Sequence, residues 1–197
     1  MNIVSIDFDI IMAPSIELYR NLEHKYYDDY YLSLFNADLM MYSKLTDWLL
    51  NTIPEVGLDN IYFIESHEQI INLLPKNESI SLINIDHHHD MGYSPEELEG
   101  KDFNINCGNW GLYLLKNQLI SDYVWIKNTN SINCFNSKYY FNSKNFYDCN
   151  LHELKPDKII ICLSSPWVPR KYHPLFNLWI NMASKLNHTN YYLIENK

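Results

Sequence analysis

Apolar residues recur along this chain in two rhythms, and the switching between them predicts its architecture. "NIVSID" (2–7) is a short β-branched run and reads as a strand. Pro14 then opens a helical stretch over 14–27, at a first-turn position where proline is tolerated. Residues 29–53 carry apolar side chains at helical spacing, and 54–60, with Pro54 and Gly57, read as a loop. "IYFIES" (61–66) predicts a strand, and 67–74 a short helix stopped by Pro75. "SISLINID" (79–86) is a strand with little alternation, as expected when both of its faces are buried. A loop at 91–108, a helix at 109–119 and a strand at 122–128 follow. Residues 129–156 are polar and aromatic, with a small duplication, "FNSKYYFNSK", and predict an irregular insertion or a β-hairpin. A strand at 157–165 and a helix at 173–186 close the pattern. Strands alternating with helices predict one α/β domain over 1–197, with three layers, α/β/α, around a mainly parallel sheet.

Ligand sites in such sheets form beyond the carboxyl ends of the strands. Here three strand ends carry chemistry. Strand 2–7 runs into Asp7 and Asp9, strand 61–66 into His67, and strand 79–86 into "DHHHD", with Asp86, His88 and Asp90 at every second position. Alternate residues of an extended chain share a face. Asp7 and Asp9 are therefore expected to point together, and so are Asp86, His88 and Asp90. His87 and His89 are expected to point away, to hydrogen-bond the first set or to pack. Four carboxylates and two imidazoles in one place carry too much negative charge to stand bare. They match two divalent cations in formal charge. An oxygen-rich set with some imidazole favours Mn²⁺, with Fe²⁺ or Zn²⁺ as contenders. A thiolate-rich zinc site is not indicated, since no cysteine lies in these motifs.

Composition narrows the setting. A chain of 197 residues, 47% hydrophobic, can bury a sizeable core. The formal charge of −9, without a long Lys/Arg cluster, argues against nucleic acid and suits a cationic substrate. "MNIVSIDFDI" lacks the basic start of a signal peptide, and no apolar run approaches the ~20 residues of a membrane span. Cys107, Cys134, Cys149 and Cys162 form no CxxC pair and read as reduced thiols of a cytoplasmic protein.

The segment "IYFIESHEQIINLLPKNESISLINIDHHHD" resembles the part of arginases and agmatinases in which a Gly-Gly-Asp-His-Ser loop precedes an Asp-x-His-x-Asp motif. His67 matches the histidine of the first element, and Asp86, His88 and Asp90 match the second. "SIDFDIIMAPS" is similar to the family's Ser-x-Asp-x-Asp strand end, which gives Asp7 and Asp9. "CGNWG" (107–111) resembles a substrate-binding Ser-Gly-Asn-x-His loop and marks Asn109 and Trp110 as substrate-binding candidates. The paired-aspartate strand comes first here rather than later. That permuted order is closest to a short arginase-like family that includes peptide arginases. The resemblance implies an arginase/deacetylase-like fold and two Mn²⁺ ions bridged by Asp86 and one aspartate of the Asp7/Asp9 pair. It also implies Asp86 and Asp90 as catalytic residues, with Asp90 orienting the nucleophile and shuttling its proton. The substrate it implies is a cationic small molecule or an arginine-containing peptide. The aromatics of 135–147 are candidates for a substrate rim, or for packing.

Two departures bear on the reaction. Gly111 stands where arginases carry a histidine implicated in proton transfer, and "ICLSSPWVP" offers no carboxylate for a guanidinium group. Two other classes therefore stay open. Asp86-His87-His88 with an N-terminal Asp-x-Asp is similar to the DHH phosphoesterases, which bind Mn²⁺ and act on anionic substrates. A non-catalytic metal-binding relative is the other.

Overall fold

The computed structural model describes residues 1–13, 35–75, 78–92, 104–131 and 141–187. The helix expected at 14–27 and the aromatics of 135–140 lie outside this set. The strands are β1 (Asn2–Asp7), β2 (Met12–Ala13), β3 (Asn36–Ala37), β4 (Ile61–Ile64), β5 (Ser81–Asp86), β6 (Asp122–Lys127), β7 (Asn142–Asn145) and β8 (Lys158–Cys162). The helices are α1 (Leu39–Val56), α2 (Trp110–Lys116) and α3 (His173–Asn187). Six strands form a parallel sheet in the order β4-β8-β1-β5-β6-β7, while β2 and β3 pair antiparallel in a small ribbon. Helices cover both faces, giving the three-layer α/β/α architecture.

Strand β1 explains why the sheet is covered twice. Val4 and Ile6 enter the core shared with α1 and α3, whereas Ile3 enters the core shared with α2. The same division holds along β8, with Ile159 and Ile161 on the first face and Ile160 and Cys162 on the second. On the first face Phe8 meets Phe176 and Trp179 edge to face, with ring centres 5.4 and 5.0 Å apart. On the second face, Ser5 follows Ile3 and Asn84 follows Leu82, so the apolar layer turns polar towards the carboxyl ends. Both Ser5 and Asn84 are fully buried.

Three expectations on element boundaries are corrected. The helix over 29–53 begins, within the described residues, at Leu39, because Asp38 caps it by accepting from the amides of Met40 and Met41 at 3.1 and 3.0 Å. It also runs through Pro54 to Val56: buried Thr52 and Ile53 hold the last turn, and Gly57, at φ 79°, closes it through its amide to the Ile53 carbonyl. The helix at 67–74 is a 3₁₀ turn, His67–Leu73, opened by a capping box between Ser66 and Gln69. Described residues of 129–156 form no hairpin: β7 is a parallel edge strand beside β6, followed by 3₁₀ turns at Phe146–Asp148 and Leu151–Glu153. Among the described residues no helix is long and apolar enough to cross a membrane.

Candidate metal centre

All six expected ligands meet at the carboxyl end of the sheet. His67, just beyond β4, directs Nδ1 at three carboxylate oxygens: Asp7 Oδ2 at 3.1 Å, Asp86 Oδ2 at 3.2 Å and Asp90 Oδ2 at 3.2 Å. His88 Nδ1 lies 2.8 Å from Asp9 Oδ2 and 4.0 Å from Asp86 Oδ1. Two triads result, Asp7–His67–Asp86 and Asp9–Asp86–His88, each with donor atoms close enough to hold a metal ion. Asp86 belongs to both, through different oxygens.

The strands do not stay extended long enough for the simple alternation to apply. β1 ends at Asp7, which accepts the Asp9 amide at 3.1 Å and so caps a 3₁₀ turn over Phe8–Ile11. Asp7 and Asp9 are thereby sent to different triads rather than to one face. Asn128 fixes this turn from β6's end, donating to the Ile10 carbonyl at 2.7 Å. β5 likewise ends at Asp86, and Asp90 takes the left-handed conformation at φ 50°. Its carbonyl accepts the Gly111 amide at 3.0 Å and the Leu112 amide at 3.3 Å. The ligand loop is also held from β6: Trp125 Nε1 donates to the Asp86 carbonyl and Tyr123 Oη to the His89 carbonyl, both at 2.9 Å.

Four of the ligands have a side-chain partner behind them, and three of these partners, Ser5, Ser164 and Asn84, were not singled out by the sequence reading. Ser5 Oγ lies 2.6 Å from His67 Nε2, so the other ring nitrogen is the one turned to the carboxylates. Ser164, at the end of β8, donates to Asp7 Oδ2. Asn84 donates to Asp86 Oδ2 at 2.9 Å. Trp110, fully buried, donates through Nε1 to Asp90 Oδ2 at 2.7 Å and packs its ring 4.6 Å from that of His67. A usable signal existed, since Ser5 and Asn84 each precede a ligand by two residues and so share its face.

The substrate-binding candidates are placed less directly. Trp110 touches the ligands themselves. Asn109 is buried, with its carboxamide accepting from the Asn106 amide at 2.8 Å and donating to the Asn104 carbonyl at 3.0 Å. At Gly111 an added Cβ would meet the Asp90 carbonyl at 3.0 Å and Met91 Sδ at 3.2 Å. The position is tight, and any larger side chain there, a histidine included, needs the Asp90 backbone, Met91 or Tyr123 to give way by a few tenths of an ångström. The described aromatics of 135–147 pack rather than line a rim: Phe141 lies against Trp125 and Tyr123, and Phe146 is in the core. His87 and His89 are buried beside the site. Burial, then the charge of His88, depresses them to about 3 and about 4, so both are neutral imidazoles.

Electrostatics show what the bare protein does with so many carboxylates. Burial and the Asp7 charge push Asp9 well above the usual carboxylate range. Burial and the Asp86 charge raise Asp90 to about 8. Burial pulls both His67 and His88 down, but the neighbouring carboxylates overturn this, carrying His67 well above its ordinary value and His88 to about 10. Asp86 moves down: burial opposes its ionisation, and His67 and His88 outweigh it. Protons thus take the place of cations. They do so imperfectly, because His67 Nδ1 and Asp9 Oδ2 are buried without an aligned hydrogen bond. Donors about 2.0–2.2 Å from a divalent ion lie about 3 Å from one another, close to the 3.1–3.2 Å between His67 Nδ1 and its three oxygens. The residues fit a metal ion.

Comparison with family models, curated proteins and solved structures finds no match.

Proposed function

We propose that this protein is a dinuclear metal-dependent hydrolase of ureohydrolase type, which releases urea from the guanidinium group of arginine held in a peptide and leaves ornithine. The observation that carries the reading is the sharing of Asp86 between two ligand triads, because a bridging carboxylate is what a two-ion hydrolase requires. Participation of His67 favours this reading over the DHH phosphoesterase, whose motif lies within Asp86–His88. Asp7, His67 and Asp86 would hold one ion, and Asp9, Asp86 and His88 the other, with Mn²⁺ suited to the oxygen-rich set. Such ions, when bound, supply Lewis acidity and make hydroxide available from water near neutral pH.

The chain's own residues do the rest. Asp90, fixed by the Trp110 indole, orients the attacking oxygen towards the guanidinium carbon. It then carries that water's proton to the amine nitrogen as the C–N bond breaks. A histidine at position 111 is not part of this scheme. The net charge of −9 favours a cationic substrate.

The test is reconstitution with Mn²⁺, metal analysis, and urea or ornithine release from an arginine-containing peptide and from free L-arginine, with Asp9→Asn as the blank. The expected result is close to two ions per chain and faster release from the peptide. A protein holding two ions and releasing urea from neither substrate would overturn the guanidinium reading and leave a metal-binding protein of another kind.

A further inference from the structure

The ligands differ in how much solvent reaches them. The side chains of Asp7, Asp9, Asp86, Asp90 and His67 are at most 5% exposed, whereas His88 is 20% exposed. Among the six ligands His88 is thus the one most reached by solvent, and a tryptophan stands beside it. Trp167, half-buried, places its indole ring 5.0 Å from the His88 ring at a tilt of 50°. The Cys107 side chain lies close to it. The turn that carries it is fixed. The amides of Trp167 and Val168 both bond the Ser164 carbonyl, at 2.8 and 3.2 Å, and Ser164 itself, at φ 51°, donates to the metal ligand Asp7. The indole is therefore tied to the deepest part of the site while its ring stands beside the most exposed ligand, His88.

We infer that Trp167 is the platform on which the substrate's planar cation stacks as it enters over His88. This rests on the guanidinium reading above and deepens it, since β8 ends without a carboxylate to pair with that group. An indole face attracts a cation through its quadrupole, most strongly where water is partly excluded, and guanidinium stacks on it flat. The same surface discriminates. A neutral ureido group of the same shape lacks the charge, and an ammonium lacks the plane.

The experiment uses Mn²⁺-loaded full-length protein and three peptides alike except for one residue: arginine, citrulline or lysine. Binding is read by calorimetry and hydrolysis by urea release. Trp167→Ala is expected to weaken binding of the arginine peptide about tenfold and raise KM with it, at unchanged Mn²⁺ content. Trp167→Phe should retain most of the affinity and guards against a variant that merely misfolds. The citrulline and lysine peptides should bind more weakly to wild type and be indifferent to Trp167. Turnover of the arginine peptide with KM unmoved by Trp167→Ala would overturn the platform and leave the hydrolase reading intact. Trp167-dependent binding without urea release would keep the platform and sink the hydrolase. Equal binding of all three peptides, or binding of none, would overturn the platform.

Discussion

The two ligand triads share Asp86 and little else. The inner one, Asp7–His67–Asp86, is sealed: His67 is 1% exposed, Ser5 holds its far nitrogen, Ser164 bonds Asp7, and Trp110 covers the ring. The outer one, Asp9–Asp86–His88, opens on solvent through His88, and Asp9 is held by His88 itself at 2.8 Å and by the His87 amide at 3.3 Å. Ligands locked by surrounding hydrogen bonds are oriented before the metal arrives, whereas loosely supported ones must be ordered by it. The inner position is expected to bind more tightly and exchange slowly, and the outer one to exchange freely and meet the substrate.

The severest test of that asymmetry is Asp86→Ala, which removes the shared ligand. Metal analysis should show loss of both ions, and the thermal stabilisation that Mn²⁺ gives the wild type should vanish with them. Retention of one firmly bound ion would mean the triads are independent. Next, His67→Ala and His88→Ala should separate the positions. His67→Ala should lower affinity at the inner site by at least tenfold and destabilise the fold, since it leaves three buried carboxylates facing a gap. His88→Ala should leave one tight ion in place and abolish activity. Identical stoichiometry and stability for the two variants would erase the distinction.

A pH series sharpens the comparison. Without metal, His88 is raised from 6.5 to about 10, so the stability of its imidazolium is fully present below pH 6.5 and is lost as pH rises towards about 10. Asp90, raised from 3.8 to about 8, has the same sign over its own window. Metal ligation demands the deprotonated forms. The metal-free melting temperature should therefore fall across this range while the increment from Mn²⁺ grows. A flat or shrinking increment by scanning fluorimetry would contradict the assignment. The smallest effect is reserved for Ser5→Ala, expected to weaken the inner ion by about tenfold without moving the outer one. A shift at the outer site alone would reverse the inner and outer roles.

Much of this was legible in the sequence, for identifiable reasons. β-branched runs bounded by proline and polar residues located the strands of the sheet, and the acids and imidazoles at their ends located the site. What escaped was set by non-local contact. Alternation places Asp7 and Asp9 on one face only while the chain remains extended, and the Asp7 cap ends that at Phe8. Pro54 reads as a helix stop, yet packing of Thr52 and Ile53 holds the turn around it. β7, "NSKN", has no apolar signal because an edge strand can be solvated, and pairing with β6 alone makes it a strand. Ser164 and Asn128 act 157 and 118 residues from their partners, a reach that local pattern does not encode.

The strand order also dictates when the site can exist during synthesis. β1 and β5 are direct neighbours, and Tyr123, Trp125 and Asn128 fix the turn and loop that carry the outer ligands, so Asp9, Asp86 and His88 can assemble once residue 128 or so has left the ribosome. β4, which leads into His67, touches β1 only through β8, and β8 comprises Lys158–Cys162. A growing chain emerges at about 5–20 residues per second and folds from its amino end. For a few seconds, then, the growing chain is expected to hold the outer triad without the inner one, and His67 is made long before it has a place to sit. The position that is most deeply enclosed in the finished protein is the last to be built.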